Sequence, residues 1–145
     1  MASKTRITAK DLGINIASGS EKQLFHWFIC VILFSKPVQQ EIAGAAFRDL
    51  KKEQVDTPER ICAAGWQRIV DILDTAHYVR YDESTATRLL DASKKVVDEW
   101  DGKMLAMVRS CEKPTMLRKK IQEFNGIGPQ GADIFLREVA PVFYR

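Results

Sequence analysis

The chain has 145 residues, of which 46% are hydrophobic and 28% are charged. This length suits one compact domain with a hydrophobic core, and the composition excludes a disordered or fibrous protein. The longest apolar run, residues 27–34, is too short to cross a membrane, and residues 1–20 lack the apolar stretch of a secretory signal. We therefore expect a cytoplasmic protein.

The positive charge is concentrated in the last third of the chain. The formal net charge is +3, and residues 101–145 carry 8 basic and 5 acidic side chains, which accounts for the whole excess. An anionic partner is therefore expected to contact this part of the chain.

The cysteines and histidines are interpreted as structural residues. Cys30, Cys62 and Cys111 are odd in number and widely spaced, so they form neither a disulfide framework nor a pair of metal ligands, and fit reduced thiols. His26 lies in the most apolar segment and His77 in an aromatic loop, and both are interpreted as packed side chains. No metal site built from side chains is predicted.

Apolar residues recur every three to four positions along most of the chain, which predicts helices. Residues 1–20, with Lys4, Arg6 and Lys10, are interpreted as a flexible basic arm, and residues 21–145 as a single helical domain. No segment alternates with a period of two, so the fold class is all-α. The predicted helices are 20–34, 38–52, 58–65, 66–76, 82–100, 104–108, 114–123 and a last one that ends near 139.

The most informative segment is residues 124–132, which separate the last two predicted helices. Gly126 and Gly128 can both adopt positive φ and so form a tight turn, with Ile127 between them directed into the core. Pro129 suits the first turn of the next helix, whose unpaired N–H groups would form a site for an anion such as phosphate. An ordinary helical corner capped by glycine is the alternative interpretation. The basic residues that precede the turn are Arg118, Lys119 and Lys120.

This segment and the order of the helices resemble the helix-hairpin-helix DNA glycosylase superfamily, the relatives of endonuclease III. The family hairpin reads apolar-x-Gly-apolar-Gly-x-x-x-Ala, and residues 124–132 match it at every position. Residues 32–35, 56–59 and 78–86 are similar to other family landmarks, and the resemblance covers about residues 24–140. It implies an orthogonal bundle of six to eight helices, a role in base-excision repair, and association with the nucleoid if the source is bacterial.

The resemblance implies double-stranded DNA as the partner, either intact or carrying a lesion or an abasic site. The hairpin would grip the phosphate backbone, while two loops would open the duplex. For the loops, an alternative stays open in which Tyr78 and Tyr81 cap the core and the glutamines are solvated. The implied DNA-binding residues are Gly126, Ile127, Gly128, Gln130, Gly131, Arg118, Lys119, Lys120, Gln39, Gln40, Arg80 and Tyr81.

The sequence departs from the family at its catalytic positions. Gln130 stands where bifunctional members carry the lysine that forms a Schiff base, and an amide cannot form an imine. Base excision alone does not require that lysine, but the family's catalytic aspartate would fall after Arg145. Asp133 is the carboxylate that could substitute for it. The resemblance therefore predicts DNA binding and leaves the question of enzymatic activity open.

The resemblance also bears on bound ions and on an alternative function. The family hairpin holds a monovalent cation on backbone carbonyls, which implies such an ion near residues 123–128, whereas the cysteine spacing does not fit an iron–sulfur cluster. The alternative function is a non-catalytic module that binds another protein or a second copy of itself. Such a module is expected to expose apolar surface on the helix of Trp27 or along residues 135–143.

Overall fold

The computed structural model describes residues 7–144 and confirms the all-α class, since this range contains helices and no strand. None of these helices has both the length and the apolar character that a membrane crossing requires. Two 3-10 helices, Lys10–Leu12 and Ile16–Ser18, precede the α-helices. The α-helices are α1 (Glu21–Phe34), α2 (Gln40–Lys52), α3 (Pro58–Ala64), α4 (Trp66–Thr75), α5 (Asp82–Trp100), α6 (Met104–Ser110), α7 (Pro114–Ile121) and α8 (Pro129–Phe143).

Helix α1 forms the centre of the bundle. Every residue from 24 to 33 is buried, as expected for a helix that is apolar on all sides, and helices α2, α5, α6 and α8 pack around it. Ser20 begins the helix, because its Oγ accepts a hydrogen bond of 3.4 Å from the N–H of Gln23. The expected apolar surface on this helix is therefore absent, since the side chain of Trp27 is fully buried.

The segment before α1 differs from the predicted flexible arm. Leu12, Ile14 and Ile16 are buried, and the second 3-10 helix packs against α1 and α8. The N–H of Ala9 also donates a hydrogen bond of 3.3 Å to Glu138 on α8. Apolar side chains at alternate positions give residues 7–20 an interior face, which composition alone did not indicate. Lys4 and Arg6 lie outside the described residues.

Aromatic contacts fix the turn between α7 and α8 to the central helix. The ring of Phe28 on α1 meets Phe124 edge-on at 4.9 Å between centroids and Phe135 on α8 at 6.1 Å. Phe135 and Val139 are buried, whereas Val142 and Phe143 are half-buried, so α8 is largely part of the core. The turn is therefore held at a defined position relative to α1.

Candidate functional site

The hairpin turn (residues 122–128) joins α7 to α8 and contains both glycines of the motif. Gly126 has a φ of +87°, which is the left-handed region that glycine favours. Gly128 has a φ of −99° and a ψ of −162°, so the prediction of positive φ is confirmed for Gly126 and wrong for Gly128. A single left-handed residue reverses the chain, and Gly128 is then extended as the N-cap of α8. Ile127 is buried, as predicted.

The hairpin presents backbone donors that lack a partner. The N–H of Ala132 is the first in α8 to find an acceptor, at 3.0 Å from the carbonyl of Gly128. By contrast, the N–H groups of Gly126, Gly128, Gln130 and Gly131 have no hydrogen-bond acceptor among residues 7–144. Of these four residues, Gly131 is buried and the other three are exposed. They lie at the N-terminus of α8, where the helix dipole carries its positive end. This arrangement is suited to an anion.

The three predicted basic residues of α7 differ in their surroundings. Arg118 forms an ion pair with Asp133 on α8, and Lys120 lies 3.7 Å from the carboxylate of Glu123. Lys119 is exposed and has no carboxylate within ion-pair distance in the described part of the chain. Lys119 is therefore the cation of α7 most available to an external anion. Asp133 is exposed and engaged with Arg118 at the surface.

Helix α5 contributes a residue that the sequence did not reveal. Arg88 lies across the hairpin turn, so closely that a Cβ added to Gly126 would stand 2.8 Å from Cζ of Arg88. One turn further along α5, Asp91 accepts a hydrogen bond of 3.0 Å from the side-chain amide of Asn125. These residues share one face of α5 at a spacing of three, but no local pattern indicates that this face meets the hairpin.

The loop before α5 divides into a buried part and a surface part. The hydroxyl of Tyr78 donates a hydrogen bond of 2.7 Å to the carbonyl of Leu33, and burial raises the pKa of Tyr78 to about 12. For Tyr78 the core interpretation is therefore the correct one. Tyr81 is half-buried, with Nζ of Lys36 at 5.1 Å and Cζ of Arg80 at 5.4 Å from its ring centroid. These cations and Tyr81 form one surface group.

The predicted glutamines occupy different environments. Gln39 is exposed at the N-cap of α2, whereas Oε1 of Gln40 accepts a hydrogen bond from the N–H of Ile7. Gln40 and Gln130 line the same cavity of about 110 Å³, together with Arg137. The fold thus brings together two predicted site residues that are far apart in sequence, and the segment at Ile7 lies beside both.

The buried histidine belongs to the core. Nε2 of His26 lies 2.9 Å from Oδ2 of Asp56, and both side chains are almost fully buried. Burial lowers the pKa of His26, while the hydrogen bond to Asp56 opposes that shift. Within residues 7–144 no group of three His, Cys, Asp or Glu side chains could hold a metal ion. Cys30 and Cys111 are buried and Cys62 is half-buried, all as free thiols.

Backbone acceptors for a monovalent cation are present in the hairpin turn. The carbonyl oxygens of Glu123, Asn125 and Ile127 accept no hydrogen bond from the described residues. The turn therefore has unpaired carbonyl oxygens in the segment where the resemblance implies a cation.

Comparisons with models of protein families, with curated proteins and with solved structures found no match to this chain.

Proposed function

We propose that this chain binds double-stranded DNA through its phosphate backbone, as a glycosylase-like protein of the base-excision repair type. The observation that carries the proposal is the hairpin turn, whose unpaired N–H groups lie at the N-terminus of α8. A phosphodiester accepts hydrogen bonds from such donors, and its negative charge is stabilised by the helix dipole. The match of residues 124–132 to the hairpin pattern supports the same conclusion.

The distribution of charge favours a polyanion over a small anion. Two elements bring basic side chains near the hairpin turn: the exposed Lys119 lies three residues before it on α7, and Arg88 of α5 contacts it at Gly126. Lys36 and Arg80 extend the positive surface to the exposed part of Tyr81. A nucleic-acid strand offers a row of phosphates and aromatic bases, and so could contact these groups together.

The proposal concerns binding, and excision is not part of it. The amide of Gln130 has no nucleophilic amine, so it cannot form a Schiff base with an abasic sugar, which argues against lyase chemistry and does not bear on base release. The carboxylate of Asp133 is paired with Arg118, which favours a role in holding α7 to α8. A duplex that contains a lesion or an abasic site is the expected partner, because its weakened stacking lowers the cost of opening.

The test is fluorescence anisotropy with two labelled duplexes, one intact and one with a stable abasic analogue, across a series of salt concentrations. We expect binding to both, tighter to the abasic duplex, with an affinity that falls steeply as salt rises. Equal binding to both would support a general backbone-binding protein. Absence of binding to either duplex at low salt would overturn the proposal.

A pair of charge-matched variants tests the site. Lys119→Gln removes an exposed cation beside the hairpin, whereas Lys103→Gln removes one next to the N-terminus of α6. Glu21 at the start of α1 accepts hydrogen bonds from the N–H groups of Met104 and Leu105, so Lys103 lies at the end of α1 opposite the hairpin. We expect Lys119→Gln alone to weaken binding and lower the salt dependence. If the two variants changed the affinity for DNA equally, the DNA interface would not be at the hairpin turn.

A further inference from the structure

Arg88 lies where it can contact the same ligand as the hairpin turn. Its side chain crosses the turn directly at Gly126, the residue with positive φ, and a side chain at that position would collide with it. The N–H of Gly126 is one of the unpaired donors of the hairpin turn. A guanidinium next to unpaired amides provides planar donors and a full positive charge at the same place.

A second cation approaches from the end of α1. A Cβ added to Gly131, in the first turn of α8, would stand 3.2 Å from Oγ of Ser35, so the residue before Lys36 contacts the hairpin side of α8. The positive charge of Arg88 lowers the pKa of Lys36, in addition to a larger effect of burial. Ser35 thus places Lys36 on the side of the hairpin turn that Arg88 also borders.

In the described part of the chain, neither of these cations is held in a direct ion pair, although Asp91 lies one turn from Arg88 on the same face of α5. Within residues 7–144, neither Lys36 nor Arg88 has a carboxylate at ion-pair distance, although other basic residues nearby, such as Arg118 and Lys120, are paired. Two adjacent positive charges destabilise a fold by like-charge repulsion unless an anion lies between or beside them. Their position next to unpaired N–H groups indicates where that anion would bind.

We propose that Arg88 and Lys36 form a composite phosphate-binding contact with the hairpin turn, which holds a phosphodiester of the DNA strand that passes Gly126. This inference rests on the proposed DNA binding and extends it from α7 and α8 to α5 and the end of α1. The planar guanidinium of Arg88 donates to phosphate oxygens, and Lys36 supplies a second charge. Tyr81, which contacts Lys36, lies next to the same strand.

The experiment measures binding of the labelled intact duplex by Arg88→Gln, Lys36→Gln and Arg88→Lys across the salt series. The control is Arg109→Gln on α6, which removes the same charge at a distance. Tyr144 follows the last residue of α8 and donates a 2.8 Å hydrogen bond to the carbonyl of Cys111, so Arg109 lies near the opposite end of α8 from the hairpin. That helix has 15 residues and is about 22 Å long.

We expect Arg88→Gln to weaken binding about tenfold and to reduce the slope of log affinity against log salt by about 0.9, the value for one phosphate contact. Lys36→Gln is expected to reduce the slope similarly. Arg88→Lys keeps the charge, so it should preserve the slope and recover only part of the affinity. Circular dichroism and thermal unfolding verify that each variant is folded. If Arg88→Gln does not fold, the binding of Arg88→Lys tests the contact instead.

The outcomes separate this inference from the proposed function. If the unmodified chain binds neither duplex, the proposed function and this inference both fail. If the unmodified chain binds and Arg88→Gln and Lys36→Gln behave like Arg109→Gln, only the composite phosphate contact is overturned. A loss of slope confined to the Arg88 and Lys36 variants would establish it.

Discussion

The hydroxyl of Tyr78 donates a 2.7 Å hydrogen bond to the backbone carbonyl of Leu33 in the last turn of α1. That carbonyl would ordinarily accept from the N–H four residues later, but residue 37 is proline and has none. Tyr78 therefore supplies the missing donor. The bond also joins the loop that carries Arg80 to the helix end that precedes Lys36, so it holds two parts of the candidate interface together.

Tyr78→Phe is expected to lower the free energy of unfolding by about 1–3 kcal/mol, because it leaves the buried carbonyl of Leu33 without a donor. Urea denaturation followed by circular dichroism measures the change. Tyr144→Phe is the matched control, since its hydroxyl donates to the carbonyl of Cys111 but the side chain is only half-buried. If both variants lost the same free energy of unfolding, the burial of the Leu33 carbonyl would not be the cause of the destabilisation in Tyr78→Phe.

The sequence predicts the helices well because their signals are local. The apolar period defines the face of each helix, Ser20 and Gly102 mark helix ends, and Ile127 between two glycines predicts a buried residue in a turn. These features depend on residues within one or two turns of each other. Bounds such as 82–100 for α5 therefore agree with the structure.

The contacts between distant segments could not be predicted in the same way. The approach of Arg88 to Gly126 depends on how α5 packs against the hairpin, and the shared cavity of Gln40 and Gln130 depends on the docking of α2 beside α8. The packing of residues 7–20 was missed for the same reason. A contact between distant segments produces no pattern in a single sequence. Which side chains on different helices form a site is therefore known only from the structure.

The buried pair of His26 and Asp56 predicts a dependence of stability on pH. Burial lowers the pKa of His26 below its ordinary value of 6.5, so the unfolded chain takes up a proton at a higher pH than the folded chain. The free energy of unfolding should therefore fall as the pH drops through about 6.5, and the fall should end below the lowered pKa.

Urea denaturation at about pH 7.5 and about pH 5.5 tests this dependence, since histidine is the side chain that ordinarily titrates in this window. His26→Gln should reduce the difference in stability between the two pH values. His77→Gln, which changes the other histidine of the chain at an exposed position, should leave the difference intact. If the difference in stability between the two pH values persisted in His26→Gln, it would arise from other titratable groups.

The two glycines of the hairpin turn should respond differently to the same substitution. Gly126→Ser places a side chain at a φ of +87° and against Arg88, so we expect it to lower the free energy of unfolding by about 1–3 kcal/mol. Gly128→Ser adds a side chain in open space at the extended N-cap of α8, where serine is favourable. Its stability should be unchanged or slightly raised.

Thermal unfolding of the two serine variants measures this contrast, and duplex binding provides a second readout. Gly126→Ser should also weaken binding, because it displaces Arg88 from the turn. If Gly128→Ser destabilised the protein as much as Gly126→Ser, the left-handed conformation would not be the property that requires glycine at position 126.

The ion pair between Arg118 and Asp133 is expected to limit the affinity for DNA. Asp133→Asn removes a negative charge beside the hairpin turn and releases Arg118, so we expect duplex affinity to rise about two- to fivefold. Stability should change by less than about 1 kcal/mol, because both side chains are substantially exposed. Asp98→Asn, an exposed change near the end of α5, should leave affinity unaltered.

Anisotropy titrations measure the affinities, and an assay for base release from a lesion-bearing duplex is run on the same variants. If the unmodified chain released a base and Asp133→Asn did not, Asp133 would take part in catalysis. If Asp133→Asn weakened binding, the pair with Arg118 would be needed to position the hairpin. A rise in affinity without either effect means that the negative charge of Asp133 opposes DNA binding at this surface, either directly or by pairing with Arg118.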